Sequence, residues 1–155
     1  VDIPVIAAGG IADGRGYAAA LMLGAEGIQM GTRFLVAKEC NIHPNFKAKV
    51  LKAGDTATMV SGRRLGHPIR SLKTPFSRKF AEMEKDASVT DEQLNAFGTG
   101  ALRKAVTDGD DANGVFMCGQ VAGLVKKEQT CSEILEEITA QAEEVLAGAK
   151  KYSDR

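Results

Sequence analysis

Two stretches near the start of the chain decide its fold, VDIPVIAAGGIADG at residues 1–14 and GAEGIQMGTRF at residues 24–34. The first opens with an almost continuous apolar run, Val1–Ala8. Such a run predicts a strand that is buried on both faces, as in a parallel sheet. The run ends at Gly9–Gly10, and paired glycines are typical of a tight turn after a strand.

The chain between this turn and the second stretch predicts a helix followed by another strand. Gly16–Leu23 is rich in alanine and is followed by Gly24, the usual residue at a helix C-terminus. Gly27–Met30 then predicts a short strand, which again ends in glycine, at Gly31. Strand, helix and strand form a βαβ unit, whose right-handed crossover places both glycine turns at the same end of the sheet.

The composition bounds the class of protein. The 155 residues carry 20 Lys and Arg against 20 Asp and Glu, and this zero net charge argues against a domain that coats nucleic acid. Apolar residues make up 44%, as in globular proteins, and no apolar run approaches the ~20 residues of a membrane-spanning helix. We therefore expect neither a nucleic-acid partner nor a membrane. Three cysteines without a CxxC pair favour reduced thiols and a cytoplasmic location.

After Cys40 the sequence changes character, and we place a boundary there, between segments 1–40 and 41–155. Proline positions, capping boxes and apolar periodicity predict the elements of the second segment. These are a helix from Pro44 to Lys52, a strand at Thr56–Ser61, a loop at Gly62–Pro68, helices at 75–85 and 91–106, a short strand or extended piece at Val115–Cys118 and a long helix after Thr130.

Each glycine turn follows the carboxyl end of a predicted buried strand. Glycine lets the backbone approach a ligand closely and present consecutive N–H groups to it. In a (β/α)8 barrel, the loops after the last two strands commonly bind a phosphate group through such amides. Residues 7–14 and 29–34 therefore predict a phosphate site, with the Thr32 hydroxyl as a further donor. The alternative is that these glycines only permit tight turns.

Longer segments carry a family resemblance. IPVIAAGGIADG (3–14), GAEGIQMGTRFLVAKEC (24–40) and NIHPNFKAKVLKA (41–53) resemble the flavin-dependent nitronate monooxygenase-like superfamily. GHPIRSLKT (66–74) and FMCGQVAGLVKKEQTCSEIL (116–135) are similar to its branch of FMN-dependent enoyl-acyl carrier protein reductases of type II. The resemblance runs through essentially the whole chain, and its segments keep their order.

The resemblance implies an α/β fold. The chain would form the C-terminal part of a (β/α)8 TIM barrel, its last two strands, with a smaller, mainly helical cover domain inserted near the end. Because the chain opens inside a strand pattern and without an initiator Met, we expect the upstream half of the same barrel as its partner on a longer polypeptide. The family's catalytic histidine is expected there, so no catalytic residue is assigned within this chain. A homodimer is also expected.

The resemblance further implies the cofactor, FMN, and the residues that contact it. The amides of one set of residues would hold the phosphate, and a second set would line the edge of the flavin. The phosphate set is Gly9, Gly10, Gly31 and Thr32, and the flavin set is Ala8, Gln29 and Met30.

The implied function of the whole protein is the reduction of trans-2-enoyl-acyl carrier protein thioesters in fatty acid synthesis. NADH or NADPH would supply the hydride, and FMN would carry it. A nitronate monooxygenase, which oxidises alkyl nitronates with FMN and O2, is the alternative within the superfamily. A third hypothesis is that the isolated chain is a non-catalytic fragment, because part of a barrel leaves open sheet edges.

The segment from Thr56 to Ala81 carries six basic residues and no acidic one. Such a segment suits a phosphorylated dinucleotide or an acidic carrier protein, and it therefore favours the reductase over the monooxygenase. The alternative is ordinary solvated surface.

The two histidines and a group of three acidic residues are assigned structural roles. His43 precedes a proline at a predicted helix start and is expected to cap that helix. His67 is expected to make a structural hydrogen bond, with contact to the nicotinamide dinucleotide or a loop cation as the alternative. Asp108, Asp110 and Asp111 lack the spacing of a calcium loop, so no metal site is predicted.

Residues 116–123 form a stretch lined by small residues. Met117 and Gln120 in this stretch either face the flavin cavity or pack in the core, because small residues let a chain pass close to a ligand. Cys118 has no neighbouring cation in the sequence that would lower its pKa, so we expect an inert thiol.

Overall fold

The computed structural model describes residues 1–153 and divides the chain into two compact units. The first unit combines Val1–Cys40 with the C-terminal segment that begins at Lys127, and the second is Asn41–Lys126. The boundary after Cys40 therefore coincides with the one placed from the sequence. The C-terminal helix, however, belongs to the first unit and not with residues 41–126. Residues 154 and 155 of the expected second segment lie outside the described residues.

The helices and strands are short, except for the last helix. The strands are β1 (Ile6–Ala8), β2 (Gly27–Gln29), β3 (Thr58–Ser61) and β4 (Ile69–Leu72). The α-helices are α1 (Gly14–Met22), α2 (Thr32–Leu35), α3 (Pro44–Lys52), α4 (Pro75–Lys85), α5 (Asp91–Gly98), α6 (Ala101–Arg103) and α7 (Cys131–Ser153). A π-helical turn spans Lys104–Asp108 and a 3-10 helix spans Gln120–Leu124. None of the helices within residues 1–153 is both long and apolar enough to cross a bilayer.

The first unit contains the predicted βαβ arrangement. β1 and β2 pair in parallel, with Ile6 opposite Gly27 and Ala8 opposite Gln29, and α1 connects them. α1 packs against α7, and Ile134 and Ile138 of α7 form a buried cluster with Ala37. The βαβ prediction is therefore confirmed, and α7 supplies the helix layer that covers it.

The prediction that Val1–Ala8 is a strand buried on both faces is wrong for this chain. The strand is limited to Ile6–Ala8, and the side chains of Val1, Ile3 and Val5 are exposed. The physical reason is that burial on both faces needs partners on both faces and edges. Within residues 1–153, β1 pairs with β2 alone, so its other edge is uncovered.

The second unit is built around a small antiparallel sheet. β3 and β4 form a hairpin with Thr58 opposite Leu72, and the loop between them occupies the predicted range. The segment Val115–Cys118 lies beside β4, because the Leu72 amide donates to the Phe116 carbonyl at 2.9 Å and the Cys118 amide to the Arg70 carbonyl at 3.3 Å. The aromatic and aliphatic side chains of α4 and α5 form the core next to this sheet.

Helix starts follow the predicted capping residues. Thr74 caps α4 and Thr90 caps α5, each in a capping box in which the side chain three residues later returns a hydrogen bond. The predicted helix 91–106 is shorter than expected, since α5 ends at Gly98. Gly100 has φ +76°, a left-handed conformation that ends one helix before the next begins.

Candidate functional site

The two glycine turns of the first unit lie at the carboxyl ends of the two parallel strands, which form one edge of the strand pair. Gly9 and Gly10 follow β1, and Gly31 comes two residues after β2. Because Ala8 is directly opposite Gln29, the residues that leave the two strands start side by side. The structure therefore brings together the two segments from which the sequence predicted a phosphate site.

The backbone of the first turn requires glycine. Gly9 has φ +96° and Gly10 has φ +74°, values in the left-handed region that other residues adopt at a cost. Both are exposed, and a Cβ atom added at either of them, or at Gly31, would meet nothing within 4 Å. The space outside both turns is therefore open to a ligand.

The first amides of α1 are already occupied. The Asp13 carboxylate accepts hydrogen bonds from the amides of Arg15 at 3.1 Å and Gly16 at 3.2 Å, and Gln141 Oε1 accepts from the Gly14 amide at 3.0 Å. The Arg15 side chain, which is hydrogen-bonded to Asp13, lowers the pKa of that carboxyl, so Asp13 carries a negative charge. An anion bound at this edge must therefore use the glycine turns and not the N-terminus of α1.

The remaining predicted contact residues differ in exposure. Ala8 and Gln29 are exposed at the strand ends, whereas Thr32 is buried. The Met30 side chain packs against the cluster formed by Ala37 and α7.

A cationic side chain directly follows the second turn. Arg33 is only 5% exposed, and it donates hydrogen bonds to the Lys127 carbonyl and to Gln129 Oε1. Burial lowers the pKa of its guanidinium, while the nearby Glu137 carboxylate opposes that change. The open space outside the glycine turns and their exposed backbone are compatible with the phosphate of FMN.

The second unit contains an apolar cavity of about 360 Å³. Its wall is mainly aromatic and aliphatic, with a few polar groups. The residues that define it are Phe76, Phe80, Leu94, Val115 and Met117, together with the polar residues Ser61, His67, Asn95 and Thr99. This volume lies within the range of pockets that hold small organic ligands.

The two histidines have different environments. His43 is the N-cap of α3, and its Nδ1 accepts the Asn45 amide at 3.1 Å, which confirms the predicted cap. The His67 backbone amide closes the loop by donating to the Gly62 carbonyl at 3.0 Å. Its imidazole is exposed at the cavity and has no hydrogen bond within the part of the chain that the structure describes, so the structural bond expected of that side chain is not found.

Cys118 and the acidic loop have structural environments. Cys118 is buried, and burial raises the pKa of its thiol to about 11, in agreement with the inert thiol expected from the sequence. Asp110 accepts the amides of Ala112 and Asn113 within its own turn. Asp111 lies 2.8 Å from Lys49 Nζ. Gln120 begins the 3-10 helix and is exposed.

The basic segment is not uniformly free. The Arg64 guanidinium donates to the carbonyls of Asp86 at 3.2 Å and Val89 at 2.6 Å, and it forms an ion pair with Asp91 at 2.8 Å. Arg64 therefore anchors the connection between α4 and α5. Arg63 is exposed and remains available to a partner.

Comparison with known proteins places the chain in a family. The family model described as nitronate monooxygenase matches residues 1–141. The chain belongs to the nitronate monooxygenase family. A probable nitronate monooxygenase from Staphylococcus saprophyticus is 32% identical over 146 residues, which cover 94% of this chain and 41% of the relative. A (3aS,4S,5R,7aS)-5-hydroxy-7a-methyl-1-oxo-octahydro-1H-indene-4-carboxyl-CoA dehydrogenase from Mycobacterium tuberculosis is 34% identical, over 90% of this chain and 50% of the relative.

A solved structure is similar to this chain over nearly its whole length. The structure of FabK from Thermotoga maritima superposes with a TM-score of 0.93 and 48% sequence identity, and the match covers 98% of this chain and 48% of that one. The chain thus spans about half the length of the relatives it matches. The expected fold class, part of a TIM barrel with a smaller additional domain, is confirmed.

Sequence reasoning missed the polar residues that support the turns. Gln129, Glu137 and Gln141 are hydrogen-bonded to one another or to the residues that follow the turns. In the sequence, Glu137 belongs to the solvated face of an amphipathic helix. The one indication of this role in the sequence is that Glu137 and Gln141 are one helical turn apart, on one face of α7.

Proposed function

We propose that the chain is the C-terminal part of a longer FMN-dependent oxidoreductase, here called the whole protein. In this proposal, the whole protein reduces trans-2-enoyl thioesters on acyl carrier protein with NADH or NADPH. FMN would supply the hydride-transfer chemistry, and this chain would supply binding and orientation. The FMN phosphate would lie on the amides of Gly9, Gly10, Gly31 and Thr32. The edge of the flavin ring would lie beside Ala8, Gln29 and Met30.

The observation that carries the FMN proposal is the pair of open glycine turns at one edge of a parallel strand pair. Each turn follows a strand, Gly9 and Gly10 have left-handed backbones, and a Cβ atom added at Gly9, Gly10 or Gly31 would meet nothing within 4 Å among residues 1–153. A phosphate dianion needs several convergent amide donors, and two such turns can provide them.

Two observations favour an enoyl thioester over a nitronate as the substrate. Sequence identity is 48% to FabK, against 32% to the probable nitronate monooxygenase. The apolar cavity of the second unit, about 360 Å³, suits an acyl chain better than a small nitronate. The family model and the staphylococcal relative favour nitronate oxidation, which stays the second candidate.

The exposed basic residues of the second unit support an anionic partner. Arg63 is exposed, and Arg78 and Lys79 are exposed on α4. Such cations attract the phosphates of a dinucleotide or the acidic surface of a carrier protein. The acyl carrier protein is therefore part of the proposal.

Anaerobic spectroscopy of the whole protein tests the proposed function. NADH or NADPH should reduce the bound flavin, and crotonyl thioester added afterwards should restore the oxidised spectrum. A nitronate monooxygenase should instead show little reduction by the dinucleotide and should consume oxygen with a nitronate. Flavin that responds only to nitronate would overturn the reductase proposal and leave the FMN site intact.

The cavity adds a test of substrate class. If the acyl chain enters apolar surroundings, each buried methylene contributes up to about 0.8 kcal/mol, which is roughly a fourfold lower KM. Enoyl thioesters longer than crotonyl should therefore have progressively lower KM values. A KM that does not depend on chain length would remove the cavity from the proposal.

A further inference from the structure

A chain of polar side chains connects the residues behind the two glycine turns, all within the first unit. Gln141 accepts from the Gly14 amide at 3.0 Å and donates from Nε2 to Glu137 Oε1 at 3.1 Å. Gln129 donates to the other oxygen, Glu137 Oε2, at 2.6 Å, and its own Oε1 accepts from Arg33. We call these four side chains, Arg33, Gln129, Glu137 and Gln141, the turn-linking network.

The two ends of the turn-linking network are attached where the two turns end. Gly14 is the first residue of α1, four residues after Gly10. Arg33 directly follows Thr32, the first residue of α2. One carboxylate on α7, Glu137, is therefore hydrogen-bonded to side chains that hold both segments.

Lys127 adds a second positive charge beside the turn-linking network. Lys127 Nζ lies 2.7 Å from Glu137 Oε2, so one carboxylate faces two cations, Lys127 and the buried Arg33. Lys127 hydrogen-bonded to it lowers the pKa of Glu137, which keeps the carboxylate ionised. Together, Lys127 and the turn-linking network carry a net charge of about +1, which suits an anion such as a phosphate.

We propose that Arg33 and Gln141 are positioning residues that act through Glu137 to hold the two glycine turns at the spacing a phosphate dianion requires. The inference rests on the proposed binding of FMN. It adds that the network determines affinity for the phosphate and not for the isoalloxazine ring. In this proposal both residues would act through Glu137 and not by contact with the reacting atoms.

The test compares FMN with riboflavin, which lacks the phosphate, on the apo form of the whole protein. Gln141→Met keeps the size of the side chain and the net charge but removes both hydrogen bonds. Arg33→Lys keeps the charge but removes the paired donors. Glu144→Gln, at an exposed position on the same helix, is the matched control.

Wild-type protein should bind FMN more tightly than riboflavin. Gln141→Met and Arg33→Lys should each raise the Kd of FMN about tenfold, the loss of one charge-assisted hydrogen bond, and leave the Kd of riboflavin within twofold. Glu144→Gln should change neither. Circular dichroism establishes that each variant is folded, and Gln141→Met alone suffices if Arg33→Lys does not fold.

Other outcomes separate the two proposals. Equal rises in both Kd values, or no rise in Gln141→Met, would overturn the positioning role while the FMN site stands. A wild-type protein that does not prefer FMN to riboflavin would overturn both the positioning role and the proposed FMN phosphate site. A clear FMN preference that the variants reduce, in a protein that does not reduce enoyl thioesters, would sustain the network and refute the reductase.

Discussion

Replacing Gly14 by alanine tests how closely α1 and α7 must approach. A Cβ atom at Gly14 would lie 2.3 Å from Gln141 Cβ and 2.5 Å from the Ala142 backbone nitrogen, whereas ordinary contacts are at 3.4–4 Å. The helices would have to separate by about 1 Å, and overpacking of this kind costs about 1–3 kcal/mol. Loss of the hydrogen bond from Gly14 to Gln141 adds about 1 kcal/mol. We expect Gly14→Ala to lower the free energy of unfolding by about 2–4 kcal/mol.

Gly148→Ala is the matched control for this prediction. Gly148 is an exposed glycine inside α7, and an added Cβ there would meet nothing within 4 Å. Alanine should stabilise that helix by about 0.8–1 kcal/mol, because glycine is the poorer helix former. Urea denaturation of the apo whole protein, followed by circular dichroism, measures both variants. A Gly14→Ala protein as stable as wild type would refute the close packing of α1 on α7.

Three further predictions concern other parts of the chain. Burial raises the pKa of Cys118 from 9.0 to about 11, so the unfolded chain loses this proton first as pH rises. The free energy of unfolding, measured by urea denaturation, should therefore fall between pH 9 and 11. The fall should be smaller in Cys118→Ala. Arg64→Ala should lower the free energy of unfolding by about 1–3 kcal/mol, since it removes hydrogen bonds and an ion pair to the α4–α5 connection. Arg63→Ala should leave the free energy of unfolding unchanged. Arg63→Glu should raise KM for the dinucleotide or the carrier substrate. The isolated chain exposes the apolar side chains of Val1, Ile3, Val5 and Ile6, so it should aggregate in light scattering unless the rest of the barrel is supplied. A soluble monomer that binds FMN tightly would contradict this expectation.

Features that depend on neighbouring residues in the sequence could be predicted. The capping boxes at Thr90 and Thr130 involve side chains only three residues away, and both are found. The helix start at Pro44 and the His43 cap are equally local. The two glycine turns followed from apolar runs that end in glycine, so the position of the candidate site also came from local pattern.

Features that depend on distant partners could not be predicted. The bond between Gly14 and Gln141 joins residues 127 positions apart, and nothing in either local sequence indicates it. Arg64 looked like one member of a basic run, but its contacts come from residues 84–91 on the next helix and loop. Burial of Val1–Ala8 was expected from apolarity, which gives the tendency of a strand to be covered but not the identity of what covers it.

The most direct test of the central claim compares Gly10→Ala with Gly24→Ala in the whole protein. Both glycines have left-handed backbones, φ +74° and +94°, and at both an added Cβ would meet nothing within 4 Å. Each substitution should therefore cost a similar 1–2 kcal/mol of stability, about the strain of one left-handed residue. If the first turn binds the FMN phosphate, Gly10→Ala should raise the Kd of FMN at least tenfold, whereas Gly24→Ala, at the far end of α1, should leave it unchanged. Equal FMN affinity in the two variants would contradict the claim.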